Sequence, residues 1–246
     1  MYDFSLPPGR ALPEMPVPAC EPHFFYGSTL LAKRLEEDAQ WAFGQLQQLG
    51  LLDPAVWSTF RGADMLNERF HLLSLGELRA AVPHDAFFVR PAVEQKAFAG
   101  QVVRGGDLSG LYVGSRGDRR EHSDSLMVCV SPLQDIRAEY RFLVHNHQVM
   151  LGSRYKLDDE LSTCSDIPVD VFEVAQQLAQ GWQPARLSVM DVAILPGNVP
   201  KIVEFNSVHS SGLYAMDLKR VATVIEVAVH EHFGSDRFVP RVCGGR

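Results

Sequence analysis

The chain has 246 residues, 46% of them hydrophobic and 22% charged, with a formal net charge of −7. Enough aliphatic and aromatic surface is present to bury, which excludes a disordered chain, and the acid excess argues against sequence-independent nucleic-acid binding. Apolar runs fall short of the roughly 18–20 residues of a membrane helix, and four scattered cysteines without CxxC spacing speak against a zinc site or disulfide framework, so a cytoplasmic protein with reduced thiols is expected.

Residues 1–22 hold six prolines, read as an extended arm rather than a signal peptide. Residues 23–26 form a short strand candidate. Ser28 is then a helix N-cap, with Leu31, Leu35, Phe43, Leu46 and Leu49 at helical spacing and Gly50 as the stop. Residues 75–81 predict a short helix. From residue 86 the period changes: 87–90, 101–103, 110–113 and 125–130 read as strands. Residues 139–145 and 148–155 form a hairpin around His145-Asn146-His147, and 186–195 and 201–205 a second around Pro196-Gly197-Asn198. Helices are predicted over 169–180 and 217–233. A boundary near Val82-Pro83 divides a Pro-rich arm (1–22), an N-terminal α/β region (23–83) and a larger α+β domain (84–246).

Three clusters carry chemistry. Arg90 ends a strand, and Lys96 follows six residues later, beside Phe98-Ala99-Gly100; a guanidinium fork and an ammonium point charge suit phosphate oxygens, although two surface charges would show the same spacing. Glu139 and Arg141 share one strand face, either as an exposed ion pair or as an arginine backed by a carboxylate in a cleft. Asp191 sits among apolar neighbours, and Glu204 and Asn206 lie on one side of the next strand. These three hard oxygen donors suit Mg²⁺, or else form a buried hydrogen-bond network. His145-Asn146-His147 spells a nuclease motif, but in a hairpin turn. His230 and His232, two apart on a helix, point about 200° from each other and do not share a metal.

The ordered strings FFVRP…K-F-G, E-Y-R-F, G-S-R-Y, MDVA, VEFN and S-G-L-Y resemble the ATP-grasp superfamily. More narrowly, they resemble its small bacterial and phage clade named for an arginine and two lysines. The resemblance runs from Phe25 to about Asp217. It implies an α+β ATP-grasp fold, two lobes clamping a nucleotide, with a small pre-ATP-grasp-like region in front. It places Arg90 and Lys96 on phosphates, and the hinge near 128–133 (Val128, Cys129, Val130, Ser131) on the adenine edge. Arg141 falls at the γ-phosphate or acyl phosphate, and Asp191, Glu204 and Asn206 on Mg²⁺. Ser210, Ser211 and Gly212 fall toward the second substrate. Arg154 and His209 are further candidates for that contact, His209 alternatively being a plain loop histidine. The second phosphate lysine has no unambiguous match; Lys156 is its candidate. Residues 104–124, rich in Gly, Arg and Asp, read as a loop over the phosphates or an insertion. The implied activity is ATP- and Mg²⁺-dependent joining of a carboxylate to an amine, on a small molecule, amino acid or peptide, with Lys96 and Arg141 catalytic. A non-catalytic nucleotide-binding protein on the same fold is the alternative.

Overall fold

A computed structural model describes residues 24–37, 46–81, 85–93, 97–105, 107–108, 111–113, 120–121 and 123–233. The larger sheet is built from the two predicted hairpins. β7 (Ala138–His145) pairs with β8 (Gln148–Leu157), and β10 (Leu187–Leu195) with β11 (Val199–Asn206), all antiparallel. β9 (Glu160–Cys164) completes the order β11-β10-β7-β8-β9. The turns sit where short polar residues and glycine tolerate positive φ: Asn146 and His147 at 48° and 66°, Gly197 and Asn198 at 78° and 58°.

All eight residues of β7, a strand with neighbours on both sides, are buried, and a helix packs on part of each face. α4 (Val169–Ala179) packs Val171, Ala175 and Ala179 against Tyr140, Phe142, Met190, Val192 and Phe205. α5 (Leu218–Phe233) packs Val221, Val224 and Ala228 against Leu143, Leu151, Leu187 and Val189. Asp217 caps α5 by accepting the Lys219 amide at 2.9 Å. Leu143, Leu187 and Val189 share their face with Arg141, Asp191 and Glu139, as the period-2 alternation requires. That face is therefore apolar under α5 and charged where it meets the cleft. The nuclease-like letters have a structural place: His145 is buried, with Nε2 3.2 Å from Glu231 of α5.

The smaller sheet has the order β1-β6-β2-β3: β1 (His71–Ser74), β6 (Met127–Pro132), β2 (Phe87–Pro91) and β3 (Gln101–Val103). Val89, Val103, Val128 and Val130 bury one face against Leu75 and Leu78 of α3 (Leu75–Ala81). β1 and β2 share this sheet, so the expected boundary at 82–83, itself outside the described residues, falls within one structural unit. Residues 104–124 include a two-stranded ribbon, β4 (Tyr112–Val113) with β5 (Arg120–Glu121).

The predicted long N-terminal helix is shorter. Ser28 does cap α1 (Thr29–Glu37), its Oγ accepting the Leu31 amide at 3.1 Å. Residues 38–45, with Trp41 and Phe43, lie outside the described residues, and Gly50 sits inside a 3₁₀ turn, Leu49–Leu52. Residues 24–26 form no strand. They lie along the 207–211 loop, with the Gly27 amide donating to the His209 carbonyl at 2.7 Å. The Pro-rich arm, Cys20 and Cys243 also lie outside the described residues; Cys129 and Cys164 are free thiols. Among the described residues, no helix is long and apolar enough to cross a membrane.

Candidate active site

The two sheets face each other across a cleft of about 720 Å³. Phe88 and Val102 line it from the smaller sheet, Phe98 from the segment before β3, Pro132 from the end of β6, and Leu133 and Ile136 from the connection between sheets. Arg90, Arg104, Glu139, Lys156, Glu204 and Asn206 supply its polar wall. Gly100 stands where a Cβ would meet the Phe88 ring at 2.6 Å, so a side chain there would collide with a cleft-lining ring.

Two bulges aim the floor residues. Between β10 and β11 the register passes from Asp191↔Glu204 to Val192↔Ile202, leaving Val203 unpaired. Glu204 and Asn206 thus stay on the face of Asp191 while Ile202 remains in the core. On β8 the register passes from Tyr140↔Arg154 to Glu139↔Lys156, leaving Tyr155 as the extra residue. Tyr155 and Lys156 both reach the cleft beside Glu139. Arg154 is left on the α4 side opposite Tyr140, donating to the Ser162 carbonyl at 3.3 Å, and does not line the cleft.

The charged groups of the cleft wall connect to a buried ion pair behind it. Arg141 grips Asp191 with two parallel bonds, Nε–Oδ1 at 2.7 Å and Nη2–Oδ2 at 2.6 Å, and donates from Nη1 to the Gly212 carbonyl at 3.1 Å. The Asn206 amide nitrogen bridges Asp191 at 3.2 Å and Glu204 at 2.8 Å. Arg90 crosses from the smaller sheet to Glu204 at 2.8 Å. Glu139 does not back Arg141. It accepts the Tyr155 hydroxyl at 2.6 Å and pairs with Lys156 at 3.0 Å, and Lys156 also holds Asp159.

Burial pushes Asp191 up to about 6 against the pull of Arg141, so it is ionised at neutral pH. Burial opposes the Arg141 charge, but Asp191 outweighs it and raises the guanidinium pKa. Burial likewise pushes Glu204 up, yet Arg90, the Asn206 amide and Arg141 together hold it below the usual carboxylate range. Burial and the neighbouring carboxylates keep the Tyr155 phenol protonated. Burial raises the Cys129 thiol to about 11, which removes it as a nucleophile at neutral pH.

Among the described residues, no three His, Cys, Asp or Glu side chains form a metal cluster. Two carboxylates and a carboxamide do converge through the Asn206 bridge. Such a set suits Mg²⁺, which takes one or two protein carboxylates and fills its octahedron with water and phosphate oxygens.

Other expected residues are dispersed. Lys96 lies outside the described residues. Val128 and Val130 point into the small-sheet core, whereas Cys129 and Ser131 line a small gap behind Arg90. Strand β6 runs to Pro132, so of the expected 128–133 hinge only Leu133 belongs to the connection bordering the cleft, which continues to residue 137. His209 is fully buried between Phe24 and Phe25, at ring distances of 4.7 and 4.2 Å. Its Nε2 accepts the Leu46 amide at 3.2 Å, so Nδ1 carries the proton to the Phe25 carbonyl at 2.9 Å. Burial lowers its pKa to about 4. Ser211 bonds the Ser207 carbonyl at 2.6 Å, and its own carbonyl accepts the Tyr26 hydroxyl. Ser210 is half-buried in the same loop, and Gly212 contributes its carbonyl to Arg141.

Residue spacing missed the aromatic support. Tyr155 and Tyr214 stack at 4.9 Å, and their rings lie 5.5 and 5.1 Å from the Arg141 guanidinium carbon. Both tyrosines stand in the strings G-S-R-Y and S-G-L-Y, but their contact with Arg141 depends on strand register and loop packing that the strings do not specify.

The chain belongs to the ATP-grasp domain family, in the second family of the clade named for an arginine and two lysines, whose model matches residues 67–224. Comparison with curated proteins finds no match. Among solved structures, the fold is similar to the ATP-grasp ligase PsnB complexed with precursor peptide PsnA2 and AMPPNP (18% identity, TM-score 0.51, covering 82% of this chain and 71% of that one). It is also similar to D-cycloserine synthetase DcsG (12% identity, TM-score 0.50, covering 82% and 80%). Against a PsnB complex with a minimal precursor, the match covers 63% of this chain but only 52% of that one, at 18% identity and TM-score 0.43. At these identities the likeness is one of fold.

Proposed function

We propose that the protein is an ATP- and Mg²⁺-dependent carboxylate–amine ligase acting on a small molecule, amino acid or peptide. The carrying observation is the unbroken network Arg90–Glu204–Asn206–Asp191–Arg141, which runs from cleft-lining residues to the buried ion pair behind them, in an ATP-grasp chain. Asp191, Glu204 and Asn206 would hold Mg²⁺, which when bound supplies neutralisation of polyphosphate charge. Arg90 and Lys96 take phosphate oxygens, with Lys156 as the second lysine. The backbone around Val128, Cys129, Val130 and Ser131, with the 133–137 connection, borders the adenine. The loop carrying His209, Ser210, Ser211 and Gly212 stands toward the second substrate; Arg154, turned to the α4 side, does not.

In the proposed reaction a substrate carboxylate oxygen attacks the γ-phosphorus, the bond to the β-bridging oxygen breaks, and ADP leaves. The amine nitrogen then attacks the acyl carbon, the carbon–oxygen bond to phosphate breaks, and the amine loses a proton as inorganic phosphate departs. Phosphoryl transfer asks for positioning and charge stabilisation rather than a protein nucleophile. Arg141, locked by Asp191, Gly212 and two aromatic faces, is a rigid donor for the charge that develops on the transferred group. The apolar walls keep water from the acyl phosphate.

The test is ADP release from Mg·ATP with pooled amino acids and peptides, followed by product mass. A product equal to the two substrates less one water supports the reading. Nucleotide binding without ADP release in any pool assigns a non-catalytic nucleotide-binding role instead.

A further inference from the structure

Helix α2 (Pro54–Arg61) sits at the junction of the two lobes, and its side chains touch both. Arg61, 6% exposed, donates to the Leu178 carbonyl at 2.8 Å in the last turn of α4. Phe60 stacks on Trp182 at 4.7 Å and 6°. These contacts fasten α2 to the larger lobe. One turn earlier, Trp57 packs edge-on against Phe205 at 6.5 Å, the residue between Glu204 and Asn206. Its indole N–H donates to the Leu52 carbonyl at 2.9 Å, which fixes the ring. On its other side, the guanidinium of Arg90, from the smaller lobe, lies 5.9 Å from the ring centroid.

We infer that Trp57 is a positioning residue that seats Arg90 at the Glu204 end of the cleft. What Arg90 does there rests on the function proposed above. A long arginine side chain has many rotamers, and ordering it in advance removes a cost from ligand binding. The ring suits this task better than a second carboxylate would. A cation–π contact engages the guanidinium face and leaves its N–H donors in the plane. When phosphate oxygens replace Glu204 as the partner of Arg90, the contact with Trp57 persists. Because Trp57 is held by the larger lobe and Arg90 by the smaller, the contact also ties the lobes together beside Glu204 and Asn206.

The test measures Mg·AMPPNP affinity by calorimetry for W57F, W57L, R90Q and the two double variants. W57F weakens binding by about threefold and W57L by about tenfold. On the R90Q background neither adds a further loss, because the group that Trp57 positions is gone. A merely structural tryptophan would weaken binding equally on both backgrounds. As a spectroscopic check, AMPPNP alters tryptophan emission in wild type and W182F but not in W57F. Folded W57F or W57L with wild-type affinity, or losses additive with R90Q, would overturn the inference alone. Should W57L fail to fold, W57F and the emission change decide it. Wild-type protein that binds no Mg·AMPPNP overturns the proposed function, and the inference with it.

Discussion

Arg141 and Asp191 are 8% and 1% exposed and joined by two short parallel bonds, so removing one partner strands the other. In Arg141→Met, Asp191 keeps only the Asn206 amide at 3.2 Å from this network. In Asp191→Leu, the guanidinium keeps the Gly212 carbonyl and two tyrosine faces. Breaking a buried pair costs about 3–5 kcal/mol. The surviving contacts place each single variant near the lower end, about 3 kcal/mol. The double variant R141M/D191L replaces the pair with apolar groups of similar volume and should recover most of that loss. Urea denaturation at pH 7.5 measures all four proteins. For Arg141→Met the deficit shrinks in acid, because its stranded carboxylate can take up a proton that the unfolded chain takes up only at lower pH. Under the proposed function, none of the variants turns over ATP. Single variants within 1 kcal/mol of wild type, or a double variant losing the sum of the singles, would refute the coupling.

His209 is held neutral: its pKa falls from 6.5 to about 4 because of burial. Between those values the unfolded chain binds the extra proton, so stability falls as pH falls, by about 3 kcal/mol between pH 7 and 4. H209Q should lack this part of the acid slope in denaturation curves; an unchanged slope would contradict it. Gly152→Ala drives a Cβ within 2.7 Å of Ile167 and Phe142 and should cost about 2 kcal/mol without altering nucleotide affinity, as urea melts and calorimetry would show. Glu204→Gln should raise the Mg²⁺ concentration needed for AMPPNP binding by about tenfold or more, read by calorimetric titration; an unchanged requirement would remove Glu204 from the metal set.

Both large hairpins were legible because their signals are local: alternating apolar residues on either side of Gly197-Asn198 and Asn146-His147. β1 and β9 were not, because a four- or five-residue strand has no pattern apart from the partner it pairs with. The alternatives left open for Glu139 and Arg141 were resolved by neighbours 17 and 50 positions away: Lys156 took one and Asp191 the other. Arg154, expected toward the second substrate, does not line the cleft, because a bulge that no local pattern shows turns Tyr155 and Lys156 inward and leaves Arg154 on the other side.

By itself the sequence determined which residue types were available and in what order: oxygen donors at 191, 204 and 206, arginines at 90 and 141, and strands carrying each. Period-2 alternation was enough to put Glu204 and Asn206 on one face. Only the tertiary structure decided that Arg90 crosses between lobes to Glu204, that Asp191 lies sealed beneath Arg141, and that Trp57, Tyr155 and Tyr214 support the two guanidiniums. Those outcomes depend on contacts between segments far apart in the chain, set by strand register, bulges and the packing of α2 against both sheets. No local pattern encodes them.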